Sequence, residues 1–178
     1  MIKIIIGVCI ATIIGICAFT FIPQVVNSQT NAPTTLVDDT NRITIGISGE
    51  VVKPGNYILE EGSTMADLIE KAGGANSNAD TRCYFAENIV EKNMEYYIAP
   101  KYDATDVCGE NAISKVNINV ADKTELMTVS GFGDTVSSAL IQYRNDNGIF
   151  YTLESIMNVS GIGNATFAKV KNYIYLHD

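Results

Sequence analysis

Histidine occurs once in the 178 residues, at position 177, next to the last. That single copy removes Ser-His and Cys-His nucleophile pairs and every metal site built on several imidazoles. The sequence contains no C-x-x-C, so nothing in it resembles a zinc site. Cations are also scarce, with 12 Lys plus Arg against 20 Asp plus Glu and a formal net charge of −8. Such a balance excludes a protein that coats nucleic acid by bulk charge. The chain is expected to be a binding protein and not an enzyme. Apolar residues make up 47% and charged residues 18%, too hydrophobic for a disordered chain and ordinary for a globular one.

The charge is unevenly spread. Residues 42–110 carry six basic and twelve acidic side chains, whereas 115–178 carry five basic (Lys115, Lys123, Arg144, Lys169, Lys171) and six acidic. The acidity sits in the middle of the chain, and the C-terminal part is nearly neutral.

The longest uncharged run is Ile4 to Ile22, 19 residues ended by Pro23. As a helix it would cover roughly 28 Å, close to a hydrocarbon core of about 30 Å. A cleaved signal peptide is the competing reading, but the run exceeds the usual apolar core of roughly 7–15 residues. Residues 1–22 are therefore expected to be a transmembrane anchor. Lys3 precedes it and Asp38-Asp39 follow it, which keeps the N-terminus cytoplasmic and places the rest outside the cell. Residues 23–41, polar with two Pro and four Thr, read as a flexible linker. Cys83 and Cys108 then fall in an oxidising space. A bridge closing their span would contribute roughly 3.5 kcal/mol in the chain-entropy model. The alternative is two buried free thiols.

From Ile43 the pattern becomes that of a half-buried strand, with Ile43, Ile45 and Ile47 alternating with Thr44 and Gly46. Gly49 to Gly55 turns, and Tyr57-Ile58-Leu59 returns. Ser63 can cap a helix carrying Met65, Leu68, Ile69 and Ala72, ended by Gly73-Gly74. Tyr96-Tyr97-Ile98 reads as a last strand. The order ββαβ predicts a small α+β domain over 42–110. The Ser48-Gly49-Glu50-Val51 strand end, Lys53-Pro54-Gly55, Leu68-Ile69 and Ala72-Gly73-Gly74 resemble an SLBB domain, a β-grasp variant. That resemblance implies ligand binding or self-association; the plainer alternative is a spacer that positions the C-terminal domain.

The C-terminal part contains a duplication. Leu126-Met127-Thr128-Val129-Ser130-Gly131-Phe132-Gly133 is echoed by Ile156-Met157-Asn158-Val159-Ser160-Gly161-Ile162-Gly163, and Tyr143 and Tyr173 keep the same offset. In each copy a short helix is expected to run into the Gly pair and a second helix to leave it. Asp122 with Glu125 forms a capping-box pattern, and Thr152 serves the second entering helix. Val136-Ala139-Leu140-Tyr143 and Phe167-Val170-Ile174 are apolar stripes on the leaving helices, and Phe150 plugs the joint. The glycines let the chain turn sharply between helices. The next helix then begins with free N–H groups and a positive dipole end, an anion site that needs no lysine. Phosphates are expected at Gly131, Gly133 and Thr135 and at Gly161, Gly163 and Ala165. Two such sites suit the two backbones of a duplex and carry no sequence information. Neither copy is a dinucleotide fingerprint, because Val136 and Thr166 stand where a third glycine would.

The stretch from Val116-Asn117-Ile118-Asn119 through Tyr143-Arg144, Asn147-Gly148-Ile149-Phe150 and Ser160-Gly161-Ile162-Gly163 resembles the tandem helix-hairpin-helix domain of ComEA-type competence proteins, over 115–178. With the anchor and SLBB-like domain in front, the whole order resembles the membrane-anchored kind. The resemblance implies a surface receptor that binds double-stranded DNA through its phosphates and passes it to a DNA-uptake membrane channel. The family commonly shows Pro and then basic residues after each hairpin. Here Asp134-Thr135-Val136 and Asn164-Ala165-Thr166 stand there, and Val120 replaces the usual Thr. Asp134 should oppose a phosphate at the first hairpin, leaving Gly161, Gly163, Lys169 and Lys171 as the stronger half. An extracytoplasmic scaffold that binds protein through both domains is the alternative, favoured by Asp134 and by the net charge.

Overall fold

Alternation of Ile43, Ile45 and Ile47 with exposed Arg42 and Thr44 builds the central strand, β1 (Arg42–Gly49), with the three isoleucines buried. The computed structural model describes residues 41–103 and 112–178, all within the unit Asp38–Asp178. The expected anchor at 1–22, the linker up to residue 40, and Cys108 lie outside the described residues. No helix among the described residues is long and apolar enough to cross a membrane.

β1 pairs antiparallel with β2 (Gly55–Glu60), Ile45 opposite Tyr57, and parallel with β3 (Glu95–Ile98), Ile47 opposite Tyr96. The sheet order is β2-β1-β3, with α1 (Met65–Lys71) between β2 and β3 in sequence. Met65, Leu68 and Ile69 of α1 join the three isoleucines, Tyr96 and Ile98 in one core. The cap of α1 is Thr64 and not Ser63. Its hydroxyl accepts from Asp67 N–H, and the Asp67 carboxylate accepts from Thr64 N–H at 2.7 Å. A reciprocal box needs an acid three residues on, which Thr64 has and Ser63, facing Ala66, lacks. Gly73 and Gly74 end the helix at φ +85° and +97°, as expected of its glycine stop.

The second half runs β4 (Val116–Asn117), α2 (Lys123–Leu126), α3 (Asp134–Asn147), a 3-10 helix (Glu154–Asn158), α4 (Asn164–Val170) and β5 (Ile174–Tyr175). The duplication is visible in its core. Leu126 and Ile156, Val129 and Val159, Phe132 and Ile162, Leu140 and Val170 are all buried, each pair thirty residues apart. Asp122 and Glu125 close the capping box on α2, and Thr152 accepts from Ser155 N–H at the second entering helix. Phe150 is buried at the joint and stacks on Tyr143 at 5.2 Å. The Asn119 side chain clamps it, accepting from Phe150 N–H at 2.7 Å and donating to its carbonyl at 2.9 Å. Parallel pairing of β4 with β5, Val116 opposite Ile174, ties the ends of the repeat together.

The two halves are packed on each other. Tyr97 of β3 donates its N–H to Glu154 Oε1 at 2.7 Å and its hydroxyl to Asn172 Oδ1 at 2.8 Å. Leu176 N–H donates to the Arg82 carbonyl at 2.9 Å. Asp80 makes a buried link: its carboxylate lies 2.8 Å from Lys115 Nζ and 2.9 Å from Arg82, with the Asp80 and Lys115 side chains each 1% exposed. Burial alone would raise the Asp80 carboxyl, but hydrogen bonds from Arg82 and Lys115 outweigh it and hold it well below the ordinary carboxylate range. Beside them Cys83 is a free, buried thiol, donating to the Ile174 carbonyl at 3.6 Å and accepting from Lys115 at 3.5 Å. Burial pushes it up to about 11. Of the expected Cys83–Cys108 bridge, only the Cys83 end lies within the described residues.

His177, next to the last residue, is a packed residue. Its ring lies 4.5 Å from that of Phe85, and its Nε2 is 3.0 Å from the Tyr84 carbonyl.

Candidate nucleic-acid interface

Each hairpin is built from the same hydrogen bonds. Val129 N–H donates to Leu126 O and Phe132 N–H to Val129 O; thirty residues on, Val159 donates to Ile156 O and Ile162 to Val159 O. Ser137 and Phe167 N–H then close the first turns of α3 and α4 onto Gly133 and Gly163 carbonyls, both at 2.9 Å. The four glycines divide into two kinds. Gly131 and Gly161 have φ +123° and +93°, and a Cβ would meet Val170 of α4 at 2.9 Å in the first case and Val136 of α3 at 3.3 Å in the second. Each hairpin is thus seated on the other repeat's leaving helix, and glycine is needed for conformation and for closeness. Gly133 and Gly163 are extended, at φ −85° and −110°, with nothing within 4 Å of a Cβ. The turn therefore needs glycine only at Gly131 and Gly161. At Gly133 and Gly163 a missing side chain leaves the start of the next helix bare.

Those starts are the expected contact points. Gly133 and Gly163 are the N-caps of α3 and α4 and supply no side-chain hydrogen bond to the first turn. Gly131, Gly133 and Thr135, and likewise Gly161, Gly163 and Ala165, are all exposed. First-turn N–H groups without an internal acceptor, at the positive end of a helix dipole, form an anion-binding surface.

The lysines separate. Lys169 is exposed and lines a groove with Thr128 and Ser130 of the first hairpin and Tyr173, so a side chain from the second repeat serves the first hairpin's flank. Lys171 turns the other way. Its Nζ lies over the Tyr97 ring, 3.5 Å from the centroid, within the packing between the two halves. Burial lowers it, opposed by Glu154 and Glu95. Glu154, 5% exposed, is pushed up by burial to about 7, against the Tyr97 N–H bond and Lys171 that favour its charged form. Asp134 is not a bare negative charge: its Oδ1 lies 2.6 Å from Lys123 Nζ. In the sequence Lys123 is only one more charge, because its reach depends on how closely α2 approaches α3. Arg144 is also engaged, donating to the Ile118 carbonyl at 2.9 Å.

Residues 111–175 match the helix-hairpin-helix motif family, and residues 44–95 match the SLBB domain family. ComE operon protein 1 of Bacillus subtilis is 38% identical over 149 residues, covering 77% of this chain and 72% of that protein. The chain belongs to the ComEA-type competence protein family. An uncharacterized protein of Haemophilus influenzae is 31% identical over 90 residues, half of this chain and 72% of its own length. The mouse endonuclease/exonuclease/phosphatase family domain-containing protein 1 shares 28% over 61 residues, only 11% of its length. Membership of the ComEA-type family, with both domains in place, supports a DNA-binding role in competence.

Proposed function

We propose that this chain is a membrane-anchored, extracellular receptor that holds double-stranded DNA by its phosphates, without sequence preference, for uptake in transformation. The observation that carries this is the pair of hairpins. Each presents a bare helix start, and the reciprocal seating of Gly131 on α4 and Gly161 on α3 fixes the two starts relative to one another. Two anion sites held at a set separation suit two phosphate backbones, and phosphate contacts of this kind carry no base sequence. Residues 4–22 anchor the receptor, the SLBB domain joins neighbouring copies, and DNA passes from the hairpins to a membrane channel. The role involves no catalytic step. Few cations are left for the duplex, so the salt dependence should be shallow, with a log–log slope of about −2 to −4. Neighbouring copies then supply avidity.

The full chain in detergent micelles, titrated by fluorescence anisotropy with unrelated duplex sequences, tests this. Affinities should agree between sequences. Gly163→Leu fits an extended backbone with open space above it, so it should leave the unfolding midpoint in place while weakening binding roughly tenfold, the worth of one charge-assisted hydrogen bond. Unchanged binding in both Gly133→Leu and Gly163→Leu would move the function away from the hairpins. The scaffold reading, favoured by the net charge of −8, would then lead.

A further inference from the structure

The first hairpin carries an ion pair at its mouth that the second lacks. Lys123 is the first residue of α2 and Asp134 the first of α3, with 2.6 Å between Nζ and Oδ1 and side chains 41% and 72% exposed. Thirty residues on, the corresponding positions are buried Leu153 and uncharged Asn164. An exposed pair of this kind is worth about 0–1 kcal/mol, so the fold does not depend on it. Its effect is positional. The Asp134 carboxylate, itself favoured at a helix start by the dipole, holds the Lys123 ammonium at the first residue of α3. A phosphate approaching Thr135 N–H would meet that ammonium within the same mouth. Lys123 can exchange a solvated carboxylate for a phosphate without leaving its place, and the carboxylate it releases stays in water.

We infer that Lys123 is a phosphate ligand of the first hairpin, held at the start of α3 by Asp134. This rests on the DNA-receptor reading and deepens it. Asp134 becomes a positioning residue for a cation, and the first hairpin, whose acid argued against binding, gains a charged contact that the second does not have.

The competing account is that Lys123 does nothing except cancel Asp134. A double-mutant cycle on the full chain in micelles, with random-sequence duplex and a salt titration, separates the two. One lost phosphate contact predicts that Lys123→Gln binds about eightfold more weakly near about 0.1 M salt, with a slope shallower by about 0.9. Lys123→Arg should keep the affinity. The decisive arm is Lys123→Gln in an Asp134→Asn background, where nothing remains to cancel. A loss of several-fold there supports the inference, and no loss overturns it. Gly163→Leu is measured beside them. If it weakens binding while Lys123→Gln is silent in both backgrounds, the inference fails and the receptor reading stands. If the unmodified chain binds no duplex, both fail.

Discussion

The two repeats share a backbone and a core but have different neighbours. Repeat one turns its charges outward: Asp134 and Lys123 pair in solvent at the hairpin mouth. Repeat two turns two of its charges inward, with Glu154 capping the Tyr97 N–H of β3 and Lys171 lying on the Tyr97 ring, and leaves Lys169 exposed. The residues thirty positions earlier are Thr124, which is exposed, and Ile141, which packs against the core. A duplication has thus become asymmetric in a consistent way. One copy is docked on the SLBB domain and is held by buried polar contacts. The other keeps an exposed ion pair at its opening. Docking gives the hairpins a fixed platform, and the Lys123–Asp134 pair of the other copy stays in solvent.

The sharpest way to break this comparison is to remove one lysine from each kind of ion pair. Lys115 and Asp80 are both 1% exposed, so Lys115→Met leaves a buried carboxylate with only Arg82 beside it. A loss of about 3–5 kcal/mol is expected in urea unfolding of the full chain in micelles. Lys123→Met, in the exposed pair, should cost less than about 1 kcal/mol. Similar losses for both would mean that the halves are not locked through Asp80.

Glu154 offers a test by pH. Its folded value, about 7, lies above its ordinary value of 4.5 because burial disfavours the carboxylate. A raised carboxyl contributes stability that is fully present below the unfolded value and is lost as pH rises through about 7. The folded unit should therefore gain about 3 kcal/mol on acidification from pH 8 to pH 5. Glu154→Gln should flatten that window. Asp80, held low, acts in the opposite direction and at more acid pH, so it does not mask the effect. Unfolding midpoints that are flat from pH 5 to 8 in the unmodified chain would place Glu154 in a wetter site than the structure gives it.

The repeat was legible because it is periodic. Leu126, Val129, Phe132 and Leu140 announce their partners by spacing alone, and the box between Asp122 and Glu125 is local. The first domain was equally open, because strand alternation and a glycine-stopped helix are local signals. The docking was not legible. Asp80 and Lys115 are far apart in sequence, and each looks like one more solvated charge. Nothing in the sequence shows that Tyr97 N–H, on the sheet edge, needs an acceptor that Glu154 supplies. Lys169 and Lys171 illustrate the limit. Two residues apart on one short segment, they read as a basic pair, yet 3.6 residues per turn sends them to different faces. Only the packing decides which face holds the SLBB domain.

That separation gives the smallest effect and the most specific one. Lys169 is exposed beside Thr128 and Ser130, whereas Lys171 lies over the Tyr97 ring. Lys169→Gln should weaken duplex binding by about eightfold near about 0.1 M salt and leave the unfolding midpoint unchanged, since it removes one phosphate contact and no packing. Lys171→Gln should do the reverse. Losing a partly buried cation–π contact should cost about 1 kcal/mol of stability, with duplex affinity nearly constant. Its neighbour supplies a second signature. Lys171 favours the charged form of Glu154, so without it the midpoint of the acid-side gain in stability should move to higher pH. If Lys171→Gln instead lowers affinity as much as Lys169→Gln and leaves that midpoint in place, then Lys171 faces the DNA. The second repeat would in that case not be docked through Tyr97.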